Sequence, residues 1–505
     1  MAEPFDDAPV EPGVWRYAKA SRVRVVVDAA DYFDLMQRAM LKTRRRVLLI
    51  GWDFDTRIHL LRGRRWYQKG IKRQYPSRLG SFFLWLVRHN PQLELKILKW
   101  GFGALKLGFR GSMLLDLARW FPHRRIDFKF DNAHPIGCSH HQKLAILDDT
   151  VAVCGGIDMT DRRWDTPEHR ERDKRRRRPW GSLHGPWHDI TMIMEGPIAG
   201  TLQDLARDRW RRAGGGDLEP VEGCADSAWP APLDAHFTDV EVGIARTRAA
   251  YKDDQGVSEI EELILSQIAR ARRYVYAENQ YFASRRIAEA ICARMAEEDP
   301  PEIVLVMPAT ADGWVEAKAM DPARDLLFRA VKEADHKNRF HLFVPYAGET
   351  SIYVHAKLTI IDDQIIRIGS ANWNNRSMGL DSECDVFIDC ARAGNEGCAD
   401  AIRSIRHQLL AEHLDLQPED VGGMLEEAGS MAAMIEGLGP DRVHTLRPYQ
   451  RQDLTEIEID LATRQTLDPE EPAEMFAITP RRRGLFRAGS LLARSMKRLR
   501  ARRRA

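Results

Sequence analysis

The 505-residue chain is 44% hydrophobic and 30% charged, with a formal net charge of +2. That length exceeds one ordinary core, so two domains or a pseudo-symmetric pair is expected, with the composition of a soluble globular protein. No apolar run approaches the roughly 18 residues of a spanning helix, and the acidic, Pro-rich start (M-A-E-P-F-D-D) is unlike a secretory signal. Seven scattered cysteines, an odd number, argue for a reducing compartment rather than a disulfide framework.

Taken in order, residues 1–20 read as a loose arm. Asp31–Thr43 has helical apolar spacing, and the basic Arg44–Arg46 precedes a strand, V-L-L-I-G-W-D-F-D, whose Asp53 and Asp55 read as strand-end polarity. Arg62–Arg73 interleaves basic and aromatic residues; it suits a phosphodiester backbone, an anionic lipid surface, or plain solvent. Ser81–His89 (helix), L-E-L-K-I-L-K-W (strand), Arg110–Arg119 (helix) and I-D-F-K-F (strand) alternate as in an α/β layered domain. Helix Ile198–Ala213 stops at Gly214–Gly216, and the Pro-containing Asp217–Asp239 reads as a linker. The order then repeats: helices at Ser258–Arg270, Ile287–Ala296 and Asp325–Ala334 alternate with strands R-Y-V-Y-A-E-N-Q, E-I-V-L-V-M-P and F-H-L-F-V. Helix Ala401–Leu414 closes the unit.

Each half contains the same polar frame. In the first, His141 and Lys143 lead an apolar run to Asp148, then Val151–Cys154 and Gly155, Gly156 and Asp158. In the second, His355 and Lys357 lead to Asp362, then Ile365–Ile368, Gly369 and Asn372. Spacings of two, seven, fourteen and seventeen residues from the histidine agree in both. In a strand, a spacing of two directs both side chains to one face. Lysine is rarely buried without a partner or an anion. A frame repeated about two hundred residues apart is too widely spaced for a solenoid and reads as a duplicated domain, each copy supplying half of one site. Two histidines and two lysines supply what phosphodiester cleavage needs: a nucleophile, an acid for the leaving alkoxide, and positive charge around the non-bridging oxygens.

With H-x-K-x4-D present twice, the sequence resembles the phospholipase D superfamily. G-G-I-D-M-T-D-R-R-W-D-T-P, P-W-H-D-I, E-G-P-I, A-E-N-Q-Y-F, G-S-A-N-W-N-N-R-S-M and D-S-E extend the resemblance from about Gly51 to Asp389 and favour the lipid-hydrolysing branch. The resemblance implies two pseudo-symmetric α/β/α halves, 21–235 and 236–416, sharing one active site at their interface. It implies His141 as nucleophile and His355 as acid/base, although the sequence itself is close to symmetric on that choice. Lys143, Lys357 and Asn372 would bind the phosphate. Asp158, opposite Asn372 in the repeat, cannot donate to phosphate and would orient a neighbour. Glu383 is expected to support His355 and Asp189 to support His141, with His188 structural or at the rim. Asp148 and Asp362 are read as structural salt-bridge partners. No metal or other cofactor is expected: the chain has no zinc-like spacing, nucleotide cradle or calcium loop.

The implied activity is hydrolysis of glycerophospholipids to phosphatidic acid, with transphosphatidylation. A cardiolipin-synthase-type phospholipid synthase, a nuclease and a non-catalytic membrane scaffold are the alternatives. Lys174–Arg178 forms a basic loop expected to reach the site mouth and draw anionic headgroups, or to do nothing specific. Residues 417–478 are expected as an extension with a tether at Ile457–Phe476. Residues 479–505 carry a basic segment, Arg481–Ala505, with Leu485, Leu492, Met496 and Leu499 near one helical face. That pattern suits a membrane-surface anchor, a disordered basic tail or a nucleic-acid contact, the first being preferred. The expected protein is a cytoplasmic, peripherally membrane-associated monomer acting on phospholipid, with nucleic acid disfavoured as a partner.

Overall fold

The computed structural model describes residues 11–61, 75–101, 111–221, 226–439, 441–465, 468–471, 484–487 and 490–493. The Arg62–Arg73 run lies outside them. Strands in chain order are β1 (Arg16–Val27), β2 (Arg46–Gly51), β3 (Glu94–Trp100), β4 (Ile126–Asp131), β5 (Leu144–Leu147), β6 (Val151–Gly155), β7 (Trp187–His188), β8 (Ile190–Glu195) and β9 (Phe237–Arg248). They continue as β10 (Val257–Ser258), β11 (Tyr274–Asn279), β12 (Glu302–Val306), β13 (Phe340–Ala347), β14 (Thr350–Ser351) and β15 (Tyr353–Val354). The last four are β16 (Lys357–Ile361), β17 (Ile365–Gly369), β18 (Glu383–Asp389) and β19 (His444–Pro448). The helices are α1 (Ala29–Lys42), α2 (Leu79–His89), α3 (Gly111–Trp120), α4 (Pro197–Arg212), α5 (Glu259–Arg270), α6 (Arg285–Met295) and α7 (Trp314–Ala334). After them come α8 (Ala399–Leu414), α9 (Pro418–Ala428), α10 (Met431–Gly437) and α11 (Glu456–Arg464).

Hydrogen-bonded neighbours run β4-β3-β2-β5-β6-β8-β1 in the first half and β13-β12-β11-β16-β17-β18-β9 in the second. The orders are the same position by position, and β1 pairs antiparallel with β9 to join the two halves. The protein is therefore two pseudo-symmetric α/β halves. A central apolar core lies between them, and each half has a second core on its outer face. Leu144 and Ile146 of β5 enter the central core while Ala145 and Leu147 enter the outer one; Leu358, Ile360 and Ile361 of β16 divide in the same way. Burial on both faces explains why these strands read as unbroken apolar runs.

Three expectations are corrected. The 1–20 arm is not loose throughout: β1 starts at Arg16, and the Trp15 N–H donates to the Ile244 carbonyl. The 417–478 extension is folded through its described residues, the described part of the expected Ile457–Phe476 tether included. β19 pairs with β13, and α11 is closed by a capping box in which Thr455 and Glu458 each satisfy the other's backbone N–H. Asp468 beyond it accepts the N–H groups of Asn375 and Arg376. Within the C-terminal basic segment, Leu485 and Leu492 are buried in the outer core of the second half, so they are not free to face a membrane. Among the described residues no helix is long and apolar enough to cross a membrane.

Candidate active site

The D-D pairs close both hairpins by the same geometry. Asp148 and Asp149 (φ 51° and 54°) and Asp362 and Asp363 (φ 55° and 54°) occupy the left-handed region. The Thr150 and Gln364 N–H groups close back onto the Leu147 and Ile361 carbonyls. Consecutive positive φ values suit a right-twisted hairpin, and aspartate tolerates them. The carboxylates of Asp148 and Asp362 each accept three successive backbone N–H groups, from Arg44–Arg46 and from Arg272–Tyr274. They are structural, as acceptors for the start of the neighbouring strand rather than as salt-bridge partners.

At the other end of these hairpins stand the histidines, and neither lies inside a strand. β15 ends at Val354 and β16 begins at Lys357, so His355 occupies a break; β5 likewise begins after His141 and Lys143. Each break docks on the opposite half. The His355 N–H donates to the His188 carbonyl (2.7 Å), continuing the parallel pairing of β15 with β7. The His141 N–H donates to the Ser382 carbonyl (2.9 Å), continuing a parallel bridge between His140 and Ser382.

This docking exchanges the supporting carboxylates. His355 Nδ1 meets Asp189 Oδ2 at 2.8 Å, and His141 Nδ1 lies 3.0 Å from both oxygens of Glu383. The expected assignment, Glu383 with His355 and Asp189 with His141, is thus reversed. A carboxylate on Nδ1 keeps the proton there and leaves Nε2 for chemistry. Glu383 also accepts the hydroxyls of Ser370 (2.5 Å) and Ser377 (2.6 Å), and Asp189 Oδ1 accepts the Ile190 N–H (2.9 Å). A Cβ on Gly156 would fall 2.2 Å from Asp189 Oδ1, so no larger residue fits beside that carboxylate.

Both lysines fold back to the carbonyl of their own histidine, Lys143 at 2.7 Å and Lys357 at 2.5 Å. Lys357 also donates to Gln280 Oε1 (3.1 Å), whereas Lys143 stands 3.5 Å from Asp158 Oδ2. Asp158 Oδ1 accepts the Trp52 N–H (3.1 Å), which fits an orienting role. Asn372 is buried with Oδ1 making no hydrogen bond among the described residues. Trp187 lies against His355 at 5.2 Å between ring centres, with the Arg163 guanidinium 4.3 Å from the Trp187 ring centre; Trp52 meets His141 edge-on at 6.3 Å.

Burial, then the Lys143 and Lys357 charges, hold the His141 imidazole well below its ordinary range. Burial, Lys357 and Arg163 do the same to His355, which also feels His141. Burial lowers the Lys357 ammonium to about 7 and raises Asp189 to about 6 and Glu383 to about 8. Burial is the common cause, disfavouring each charged form; at the two imidazoles the ammonium groups add a repulsion that an arriving anion relieves.

Sequence reasoning thus names His141, Lys143, His355, Lys357, Asp189, Glu383 and Asn372, and the fold brings them together, while Asp148 and Asp362 lie outside. It misses Ser370, Ser377, Gln280, Trp52 and Trp187. Ser370, Ser377, Gln280 and Trp187 sit within the quoted segments G-S-A-N-W-N-N-R-S-M, A-E-N-Q-Y-F and P-W-H-D-I. His188 is fully buried rather than at a rim. The Lys174–Arg178 loop is largely committed internally: Arg175 pairs with Asp173, Arg176 is buried on Asp165, and Arg178 pairs with Asp161.

Comparison with known proteins now decides the family. A family described as "Phospholipase D" matches residues 123–292, and one described as "Cardiolipin synthase, PLD-like domain" matches 264–398. The chain belongs to the phospholipase D superfamily. It is 24% identical to phospholipase D alpha 1 of Ricinus communis, over 85% of this chain and 62% of that protein. It is 25% identical to phospholipase D A of Dictyostelium discoideum, over 79% of this chain and 36% of that one. The chain therefore spans less than two thirds of either relative. The solved structure of phosphatidylserine synthase from Haemophilus influenzae is similar in fold (TM-score 0.50, 12% identity, covering 83% of this chain and 95% of that one). Superfamily members are phosphodiesterases or phospholipid-modifying enzymes.

Proposed function

We propose that the protein is a phospholipase D that hydrolyses glycerophospholipids to phosphatidic acid and free headgroup. The observation that carries this reading is the crossed pair of carboxylate-held histidines, each with a lysine two residues on. His141 Nε2 attacks phosphorus while the phosphorus–headgroup oxygen bond breaks, and protonated His355 delivers its Nε2 proton to the leaving alkoxide. Substrate negative charge offsets the two ammonium groups and lets His355 hold that proton. His355, now neutral, takes a proton from water as its oxygen attacks phosphorus and the phosphorus–nitrogen bond to His141 breaks. Phosphatidic acid leaves, and two in-line displacements return the original configuration at phosphorus. Lys143, Lys357 and Asn372 bind the non-bridging oxygens throughout.

An alcohol entering instead of water would give transphosphatidylation. The match of residues 264–398 to a cardiolipin synthase domain favours acceptor transfer as the second reading. Peripheral contact with the lipid surface fits Trp180, 55% exposed and flanked by the Arg57 and Arg178 guanidinium groups.

The test uses purified protein with mixed phosphatidylcholine, phosphatidylethanolamine and phosphatidylglycerol vesicles, ethanol and excess chelator, followed by mass spectrometry. Phosphatidic acid and phosphatidylethanol together, absent with His141→Ala and His355→Ala, are the expected result. Phosphatidyl alcohol without phosphatidic acid would favour the synthase. Cleavage of DNA or RNA with no lipid turnover would overturn the lipid reading.

A further inference from the structure

Behind Asp189, away from the reacting nitrogens, lies a second cluster of polar side chains. Asp28 follows β1, His169 lies in the segment between β6 and β7, His188 belongs to β7, and Glu412 comes from α8 of the other half. The side chains of Asp28, His169 and His188 are wholly buried and that of Glu412 is 4% exposed.

The hydrogen bonds set which ring nitrogens point inward. His169 Nδ1 is held by Asp165 Oδ2 (3.0 Å), itself fixed by Arg176 and the Trp187 N–H. His188 Nε2 is held by Glu278 Oε2 (2.7 Å). Each imidazole therefore has a carboxylate on one nitrogen and turns its other nitrogen to a common centre, the arrangement that orients metal-binding histidines. At that centre His169 Nε2 lies 3.1 Å from Glu412 Oε1 and 3.4 Å from Asp28 Oδ2. His188 Nδ1 lies 2.8 Å from Glu412 Oε1 and 3.5 Å from Asp28 Oδ1. With both outer nitrogens donating and neither ring carrying a second proton, two imidazole lone pairs face two carboxylates, a set that one cation at the centre would join. His188 Nδ1 and Asp28 Oδ2 make no hydrogen bond among the described residues although both are buried. Asp28 also stands at the N-cap of α1 at φ 64° without capping the helix, its carboxylate turned to the cluster instead.

We propose that Asp28, His169, His188 and Glu412 form a binding site for one first-row divalent cation, with Zn²⁺ the best match. Ligand bonds of roughly 2.0–2.1 Å in a tetrahedron place ligand atoms about 3.3 Å apart; the four nitrogen–oxygen separations, two of them to different oxygens of Asp28, run from 2.8 to 3.5 Å, and one donor atom from each residue lies within 4.8 Å of the others. Two imidazoles and two carboxylates are a borderline donor set suited to zinc rather than calcium or magnesium. Glu278 is not a fifth ligand: its oxygens already meet His188, His413 and the Tyr276 hydroxyl. The site joins the halves, since Glu412 alone comes from the second. It also underlies the acid/base histidine: Asp28 Oδ1 accepts the Asp189 N–H (3.2 Å), and the His188 carbonyl holds the His355 N–H. The cation takes no part in the reaction, and the inference stands whichever phosphodiester the enzyme cleaves.

The experiment is elemental analysis by inductively coupled plasma mass spectrometry on the full chain, expressed in zinc-supplemented medium and dialysed. It is paired with thermal unfolding before and after a strong chelator and after adding Zn²⁺ back. The expected result is one zinc per chain in wild type, a fall in Tm on chelation reversed by Zn²⁺, and loss of the metal in Glu412→Gln and His169→Asn. Glu412→Gln keeps side-chain volume, so a folded variant is available. Zinc retained at full stoichiometry by both folded variants would overturn the location. Wild type holding only traces of metal, with Tm unmoved by chelator or Zn²⁺, would overturn the proposal.

Discussion

The two half-sites share a backbone frame but differ in what surrounds it. Around His141, Glu383 is held by two hydroxyls, and Lys143 has the Asp158 carboxylate as companion. Around His355, the Asp189 carboxylate accepts the Ile190 N–H while its own N–H donates to Asp28 of a buried histidine–carboxylate cluster, and Lys357 has the neutral Gln280 amide as its side-chain companion. The repeated frame thus supplies a common geometry, and the companions of each histidine and lysine distinguish the two half-sites. A nucleophile gains from a firmly seated acceptor, whereas an acid/base group needs a proton affinity that substrate can change.

The largest effects should come from the histidines themselves. His141→Ala and His355→Ala should each lower kcat with a natural phospholipid by about a thousandfold or more. With an activated aryl ester, whose leaving group needs no proton, His355→Ala should retain one rapid turnover and His141→Ala none. Equal rapid bursts from both variants would erase the distinction between the half-sites.

The crossed carboxylates come next. Glu383→Gln and Asp189→Asn should each cost about a hundred- to ten-thousandfold in kcat. Because Glu383 touches His141, its loss should slow the burst with the activated ester. Asp189→Asn should leave that burst and slow only the release step. The reverse pattern would restore the within-half pairing expected from sequence.

A smaller effect concerns pH. Lys357 is a cation whose proton affinity is depressed to about 7, so its charge is present below that pH and is lost as pH rises through it. The free enzyme's kcat/KM should therefore fall above pH ~7, with KM carrying the change. Lys357→Arg, which stays charged, should keep part of the activity and remove that alkaline fall. An unchanged alkaline limb would show that another group sets it. The smallest effect is at Trp180, where Trp180→Ala should weaken vesicle sedimentation a few-fold while leaving turnover of a soluble short-chain substrate unaltered.

The repeated His–Lys frame was legible because hydrogen-bonded hairpins preserve residue spacing, and the apolar runs marked strands buried on both faces. The carboxylate exchange was not legible. Asp189 and Glu383 each follow a segment that pairs in parallel with the opposite half, and such long-range docking leaves no trace in local spacing. The Asp28–Glu412 cluster is hidden for the same reason, being assembled from four separated segments with none of the short ligand spacings that announce a zinc site. The C-terminal extension was misread from its polar composition, although the T-E-I-E sequence at Thr455–Glu458 carries a capping-box pattern. The structural part of the Asp148 and Asp362 reading holds, but their carboxylates' backbone partners lie about a hundred residues away, beyond any local pattern.

The most direct test of the account is to trap the covalent enzyme. Wild type and His355→Ala would be mixed with an activated short-chain phosphatidyl ester, quenched in alkali within milliseconds, and digested for peptide mass spectrometry. The account predicts a phosphatidyl adduct on His141, fleeting in wild type and persistent in His355→Ala. An adduct on His355 in wild type, or none on either histidine, would contradict it.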